Sequence, residues 1–331
     1  MTLAIVDAVA EPVGDPGFGS CSRYLAPIAN APLIRHVFDE LAEGGVERAM
    51  IIAHADGRRD LEQVLEGGKS WGIDISYSDA PGVDGIQRVL TQTRLTLASG
   101  PVLVYPADCL FPGRVAAMRD RFSEGDVDCV LLALAPESSL PGSRMFSTPV
   151  MLGPRTLEVL SDSMSRNLDP RALAKILMAG GCRVATCEAG KQWSYSDSTE
   201  RLLAGNRMVL DDLPVTAVDA SFPDNNEIHG RVAISRRAHV SNSRLCGPVM
   251  IEEDAVVEDS FVGPYTAIGR GAVIRGTELD NTMVLAFADV RHPGLRIEAS
   301  IIGERATVSR SYELPKGLHL RLAAGSQVTL S

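Results

Sequence analysis

Apolar positions along the chain change their rhythm near residue 228. Before it, short unbroken apolar runs alternate with stretches of helical spacing. LAIV (3–6), AMIIA (49–53), IDISY (73–77), VLVY (102–105) and CVLLAL (129–134) have the length and aliphatic content of buried strands. Between the first two, Leu33, Ile34, Val37, Phe38 and Leu41 fall on one face of a helix over 33–44, and a Gly pair at 44–45 ends it. Such alternation predicts a mostly parallel sheet with helices on both faces. Ligands of these sheets bind beyond the carboxyl ends of the strands. The stretch AVAEPVGDPGFGS (8–20) stands at such an end, after the first strand.

After 228 the apolar residues recur about every six positions: Ile234, Val240, Ile251, Val257, Val262, Ile268 and Ile274, then Leu279, Leu285 and Val290 with single five-residue steps. Gly and small residues lie between them, as in GPVMIEEDAVVEDSFVGPYTAIGRGAVI. A hexapeptide period marks a left-handed parallel β-helix, whose coils stack to bury a shared apolar column. The chain therefore reads as a Rossmann-like, mostly parallel α/β domain over 1–225 and a β-helix domain over 226–331.

Composition narrows the partners. With 331 residues, 45% of them hydrophobic, the chain can bury one or two cores. No apolar run approaches the roughly 20 residues of a membrane-spanning helix. The start, MTLAIVDAVAEPVGD, lacks the basic region of a secretory signal. A net charge of −10 with no basic stripe argues against nucleic acid and anionic membrane as partners. The six cysteines are scattered, with no CxxC pair and no histidine at ligand spacing. Zinc and a disulfide framework are not expected, and a reducing cytoplasm is. His229 and His239 fall in the β-helix, where nothing marks either as an acyl-transfer base.

Several strings carry a resemblance. LAPIANAPLI (25–34) looks like L-x-P-V-x-N-K-P-L-I, while DNNEIHGRVAI (224–234), SRLCGPVMI (243–251) and VEDSFVGPYTAIG (257–269) match a β-helix pattern almost letter for letter. Over nearly the whole chain these strings resemble the sugar-phosphate nucleotidyltransferases, in the long form of glucose-1-phosphate thymidylyltransferase. The resemblance implies transfer of a nucleotidyl group to a sugar 1-phosphate with release of pyrophosphate. It also implies Mg²⁺ as cofactor and a sugar phosphate or sugar nucleotide as ligand. Catalysis of that kind is positioning plus charge neutralisation by the metal and cations.

Matched residue by residue, the phosphate machinery is altered. The family's loop G-G-x-G-T-R has Ala8 and Val9 for its first glycines and Glu11, Pro12 and Val13 for its G-T-R. The P-K pair is Ser22 and Arg23, and the lysine of N-K-P is Ala31. Side chains at Ala8 and Val9 hold the backbone off a phosphate, and Pro12 lacks an N–H. Glu11 and Asp7 bring negative charge, which costs on the order of 4 kcal/mol per contact at ~4 Å from an anion. Asp108 in YPADC matches the magnesium aspartate, and the second metal aspartate falls on Tyr195, with Asp197 two residues on. In the substrate segments only Gly85 aligns well in SDAPGVDGIQ, and Asp169 in NLDPRAL is the nearest acid.

The candidate catalytic residues are accordingly Asp108, Arg23, Glu11, Asp7 and Tyr195, with Gly85, Asp169 and Asp197 as substrate contacts and Asp108 as the magnesium ligand. Asp7 and Glu11 are also candidates for acid–base work, since a carboxyl in a partly buried cleft titrates high. Three readings stay open. The cleft is repurposed for a sugar, cyclitol or sugar-nucleotide-like metabolite; or it remains an active nucleotidyltransferase; or the chain is a non-catalytic partner of one. A homo-oligomer is expected from the β-helix.

Overall fold

The computed structural model describes residues 2–9, 23–79, 90, 100–133, 146, 148–163, 170–196, 198–213, 217–218 and 225–310. In the first part the aliphatic runs become strands: β1 (Leu3–Ala8), β2 (Pro27–Ile28), β3 (Ala31–Pro32), β4 (Arg48–Ala53), β5 (Asp74–Asp79), β6 (Val102–Pro106), β7 (Cys109–Leu110), β8 (Cys129–Ala133), β9 (Val150–Leu152), β10 (Val184–Glu188) and β11 (Trp193–Ser194). Seven of them form one sheet in the order β10-β8-β9-β6-β1-β4-β5. All neighbours are parallel except at β9, which runs against both β6 and β8.

Both faces of this sheet are covered, as its continuous apolar strands require. Ala4, Val6 and Ala8 point to the side of helix α1 (Leu33–Glu43), while Ile5 points to a second cluster with Val102 and Val104. Helices α2 (Ala55–Leu65), α3 (Arg114–Ser123), α4 (Pro154–Ser163), α5 (Pro170–Ala179) and α6 (Thr199–Asp211) follow. The helix expected over 33–44 is present with its five apolar residues fully buried, and Gly45 at φ +72° leads the chain out.

One acid holds two helices together. Glu40, on α1, is buried, and its carboxylate accepts from the N–H groups of Gly113, Arg114 and Val115 at 2.8, 2.8 and 2.9 Å. It thereby serves the orphan donors at the start of α3, where a negative charge is also favoured by the helix dipole.

From Ala217–Val218 onward three parallel sheets stack coil upon coil, the left-handed β-helix expected from the hexapeptide period. Its interior column holds the predicted residues from Ile234 to Val290, with one correction. Val284, not Leu285, stands beneath Ile268 in the parallel register. The column also takes in Leu245, so a five-residue step recurs at the same corner of each coil: Val240 to Leu245, Val257 to Val262, Ile274 to Leu279. That corner is turned by left-handed residues, Asn242 (φ 47°), Asp259 (φ 50°) and Gly276 (φ 55°). Beside them a buried hydroxyl ladder sets the register. Ser243, Ser260 and Thr277 donate to the carbonyls of Ser241, Glu258 and Arg275 at 2.8, 2.6 and 2.9 Å. Ser243 Oγ and Ser260 Oγ each accept the N–H of the equivalent residue one coil on, at 3.2 Å.

Helix α6 fastens the two parts. Asn206, fully buried, donates from Nδ2 to Tyr265 O at 2.8 Å, and Arg207 Nε donates to Asn281 Oδ1 at 2.8 Å. Ala267 and Met283 of the β-helix share the core of the α/β part. Among the described residues no helix is long and apolar enough to cross a membrane.

Candidate functional site

The carboxyl ends of β1 and β6 are neighbours, with Asp7 paired to Pro106 and Ala107 N–H donating to Asp7 O at 3.0 Å. Just past β6 the chain turns into β7, which pairs antiparallel with β11. That pairing sets Ser194 against Cys109, and Tyr195 N–H donates to Asp108 O at 2.8 Å. Two segments far apart in sequence are thereby locked across the end of the central strand.

Side chains complete the cluster. Arg23, in a single 3-10 turn (Arg23–Leu25), places Nη1 3.2 Å from Asp108 Oδ2. Cys109 Sγ donates to Asp108 Oδ1 at 3.3 Å. The guanidinium carbon of Arg23 also lies 5.9 Å from the centre of the Tyr195 ring, within cation–π reach. Asp108 and Tyr195 are buried, while the Arg23 side chain keeps 22% of its surface open. The Arg23 guanidinium is thus the most open of these three side chains.

Asp7 is buried at the end of β1, but its carboxylate turns back on its own loop: Oδ1 accepts the N–H of Val9 at 3.2 Å. Ala8 packs into one core cluster and Val9 against the other. The first two loop positions therefore bury side chains where an open cradle would leave backbone N–H groups free.

Tyr195 is held from behind. Ser198 caps α6, accepting from Arg201 N–H at 3.2 Å, and Arg201 Nη2 donates to Ser194 O and Oγ at 3.2 and 2.9 Å. Trp193 Nε1 donates to Arg201 O at 2.6 Å, and α6 lies so close that a Cβ on Gly205 would sit 2.8 Å from the Trp193 ring. Sequence reading missed Trp193 and Arg201; the helix-start signal S-T-E-R (198–201) was the clue available.

The structure thus brings Arg23, Asp108 and Tyr195 into contact, with Asp7 beside them through the backbone. Glu11, Gly85, Asp169 and Asp197 lie outside the described residues. His36, on α1, is structural. It is largely buried with Nε2 2.8 Å from Ile28 O, and burial holds its pKa below the ordinary histidine value.

Magnesium is held by oxygens, commonly one or two carboxylates with waters and substrate phosphate. At the end of β6 the donors are one carboxylate already engaged by a guanidinium and a thiol, plus a phenol. Among the described residues no group of three His, Cys, Asp or Glu comes together. Asp108 is the residue here that would hold Mg²⁺, and Arg23 and Cys109 already engage its two carboxylate oxygens.

A parallel-sheet site of this kind followed by a β-helix defines a class of protein, and comparison with known proteins agrees with it. The chain is 22% identical to a glucose-1-phosphate thymidylyltransferase of Streptomyces antibioticus, over 93% of this chain and 94% of that protein. It is 23% identical to a glucose-1-phosphate thymidylyltransferase of Streptomyces griseus, over 94% of each. The low-salt glycan biosynthesis nucleotidyltransferase Agl11 of Haloferax volcanii matches at 22% over 93% of this chain and 94% of its own length. No family model matches the chain. Across both of its parts the chain is similar to these nucleotidyltransferases, as the motifs indicated.

Proposed function

We propose that this relative of the nucleotidyltransferases has given up ordinary magnesium-dependent nucleotidylyl transfer. Its cleft binds, or acts on, a sugar, cyclitol or sugar-nucleotide-like metabolite, in a reducing cytoplasm and as a homo-oligomer. The observation that carries this reading is the contact of Arg23 with Asp108, beside Tyr195. A divalent cation would have to share Asp108 with the guanidinium, and each pair of unit like charges ~4 Å apart repels by about 4 kcal/mol near a protein surface. Tyr195 offers a neutral phenol where the family pattern has a second carboxylate. The Asp7 contact with Val9 N–H points the same way, since it uses a loop donor that a triphosphate would otherwise claim.

In this reading Arg23 supplies resident positive charge for a phosphate or a ring of hydroxyls, with fork geometry suited to either. Asp108 orients Arg23 and accepts a hydroxyl from the ligand, and Tyr195 forms the wall beneath the guanidinium. Retention of Asp108 at the end of β6 favours the second reading, an active nucleotidyltransferase with an altered loop.

Calorimetric titration with dTDP-glucose, UDP-glucose and glucose 1-phosphate, with Mg²⁺ or with EDTA, separates the two. Binding that is indifferent to EDTA and falls roughly tenfold or more in Arg23→Ala, as loss of a charge-assisted contact implies, supports the proposal. Binding that requires Mg²⁺, or that Arg23→Ala leaves unchanged, contradicts it.

A further inference from the structure

A groove of about 490 Å³ runs along one corner of the β-helix, and none of its walls belongs to the site around Asp108. It crosses four successive coils, which supply it as a grid. One wall is the corner row Asn225, Asn242, Asp259 and Gly276; the other is the row Glu227, Arg244, Phe261 and Glu278. Between them the floor is the buried hydroxyl ladder Ser243, Ser260 and Thr277. Coils are spaced by the strand-to-strand distance of ~4.8 Å, so the three steps cover about 14 Å. That is the length of a short chain molecule rather than of a single ring.

The floor has little to offer. Its hydroxyls are committed to carbonyls of their own coils, and the strands beneath are paired to coils on both sides. An incoming peptide therefore has no strand edge to extend, and recognition falls to the walls. These are planar groups: Asn242 Nδ2 donates to Asp259 Oδ1 at 2.5 Å, and Arg244 reaches Glu227 Oε2 at 2.6 Å. Each has more donors or acceptors than these mutual bonds use. Within the charged row Phe261 is the exception, a half-buried aromatic ring on the outward side of its strand. Beyond Gly276, at one end of the groove's corner row, stands His292 of the next coil. Its ring lies over Gly276 so closely that a Cβ there would be 2.1 Å from Nδ1.

Charge selects among ligands. Glu227, Asp259 and Glu278 face one cation, Arg244, which is already paired with Glu227. Phosphates, nucleotides and acidic polymers are repelled. An aromatic face flanked by amides and carboxylates suits sugar rings instead. The C–H groups on one side of a pyranose carry slight positive charge and stack on the negative π-face, while its hydroxyls bridge the planar side chains. We propose that this groove binds a neutral oligosaccharide, with one ring on Phe261 and its neighbours between the Asn242–Asp259 and Arg244–Glu227 pairs.

The test is calorimetric titration of the full-length protein with cellotetraose and maltotetraose, against tetragalacturonate as the acidic control. One neutral sugar should bind, the acidic one should not, and Phe261→Ala should weaken binding roughly tenfold. Should that variant melt early, Asn242→Gly, which keeps the left-handed backbone of the corner and removes the amide, should weaken it severalfold instead. Asp108→Ala should bind the sugar as the parent does, so failure of the cleft reading leaves this result intact. The proposal is overturned if neither neutral sugar binds, if the acidic one binds as well, or if the groove variants bind as the parent does. It is equally overturned if Phe261→Ala dissociates an oligomer in sedimentation without any sugar binding, because the groove would then be a contact between copies of this chain.

Discussion

The Asp108 carboxylate meets a guanidinium at one oxygen and a thiol at the other, which limits what it can still bind, while its backbone carbonyl accepts the N–H of Tyr195. Two other titratable residues show how burial is offset elsewhere. Glu40→Ala would leave the N–H groups of Gly113 and Val115 without this acceptor, while Arg114 N–H keeps Phe111 O at 3.0 Å, at a cost of about 3 kcal/mol in urea unfolding; Glu40→Gln keeps an oxygen and should cost less. His36 carries a pH prediction. Its folded pKa lies below its unfolded value of 6.5, because burial disfavours the charged ring. The stability it contributes is therefore present above that value and is lost as pH falls through its folded pKa. Melting curves should show a drop on acidification from pH 7 that is reduced in His36→Gln; an equal drop in both proteins would refute it. None of this was legible in sequence. Glu40 and His36 sit on a helix whose period reveals the apolar face, but not the polar groups that meet it.

Among the elements, α6 links the β-helix to the candidate site. Its middle bonds to Tyr265 and Asn281 through Asn206 and Arg207, and its start holds Trp193 and Ser194 through Arg201. Gly205 permits that closeness, since a Cβ would meet both Trp193 at 2.8 Å and Ile28 Cδ1 at 3.0 Å. Gly205→Ala should cost about 1–3 kcal/mol by overpacking and should also weaken ligand binding next to Tyr195. A variant that loses stability but keeps full binding would show that α6 does not position the tyrosine. Long periodic elements were readable: α1 from its five apolar positions, and the β-helix from its column. The slip between Leu285 and Val284 came from counting spacings, whereas the real constraint is the register of parallel strands, which shortens one coil. The two-residue strands β7 and β11 are too short for any period, yet they create the site.

Across the whole molecule, residues 23, 108 and 195 come together only because the sheet, the β7–β11 pair and α6 close around one strand end. No local pattern announces such a cluster. Its legibility came from alignment to a family pattern, which placed Tyr195 where a carboxylate was expected and left the replaced loop positions in view. The fold was conserved enough to read; the chemistry had to be inferred from what departs from it. The central claim is that this scaffold no longer transfers nucleotides in the ordinary way. The most direct measurement is pyrophosphate release by the purified protein with Mg²⁺, glucose 1-phosphate and each common nucleoside triphosphate, beside Asp108→Ala. The account predicts no release above that of the Asp108→Ala protein with any nucleotide. Release by the parent that disappears in Asp108→Ala would contradict it, and would mean that the altered loop holds a triphosphate after all.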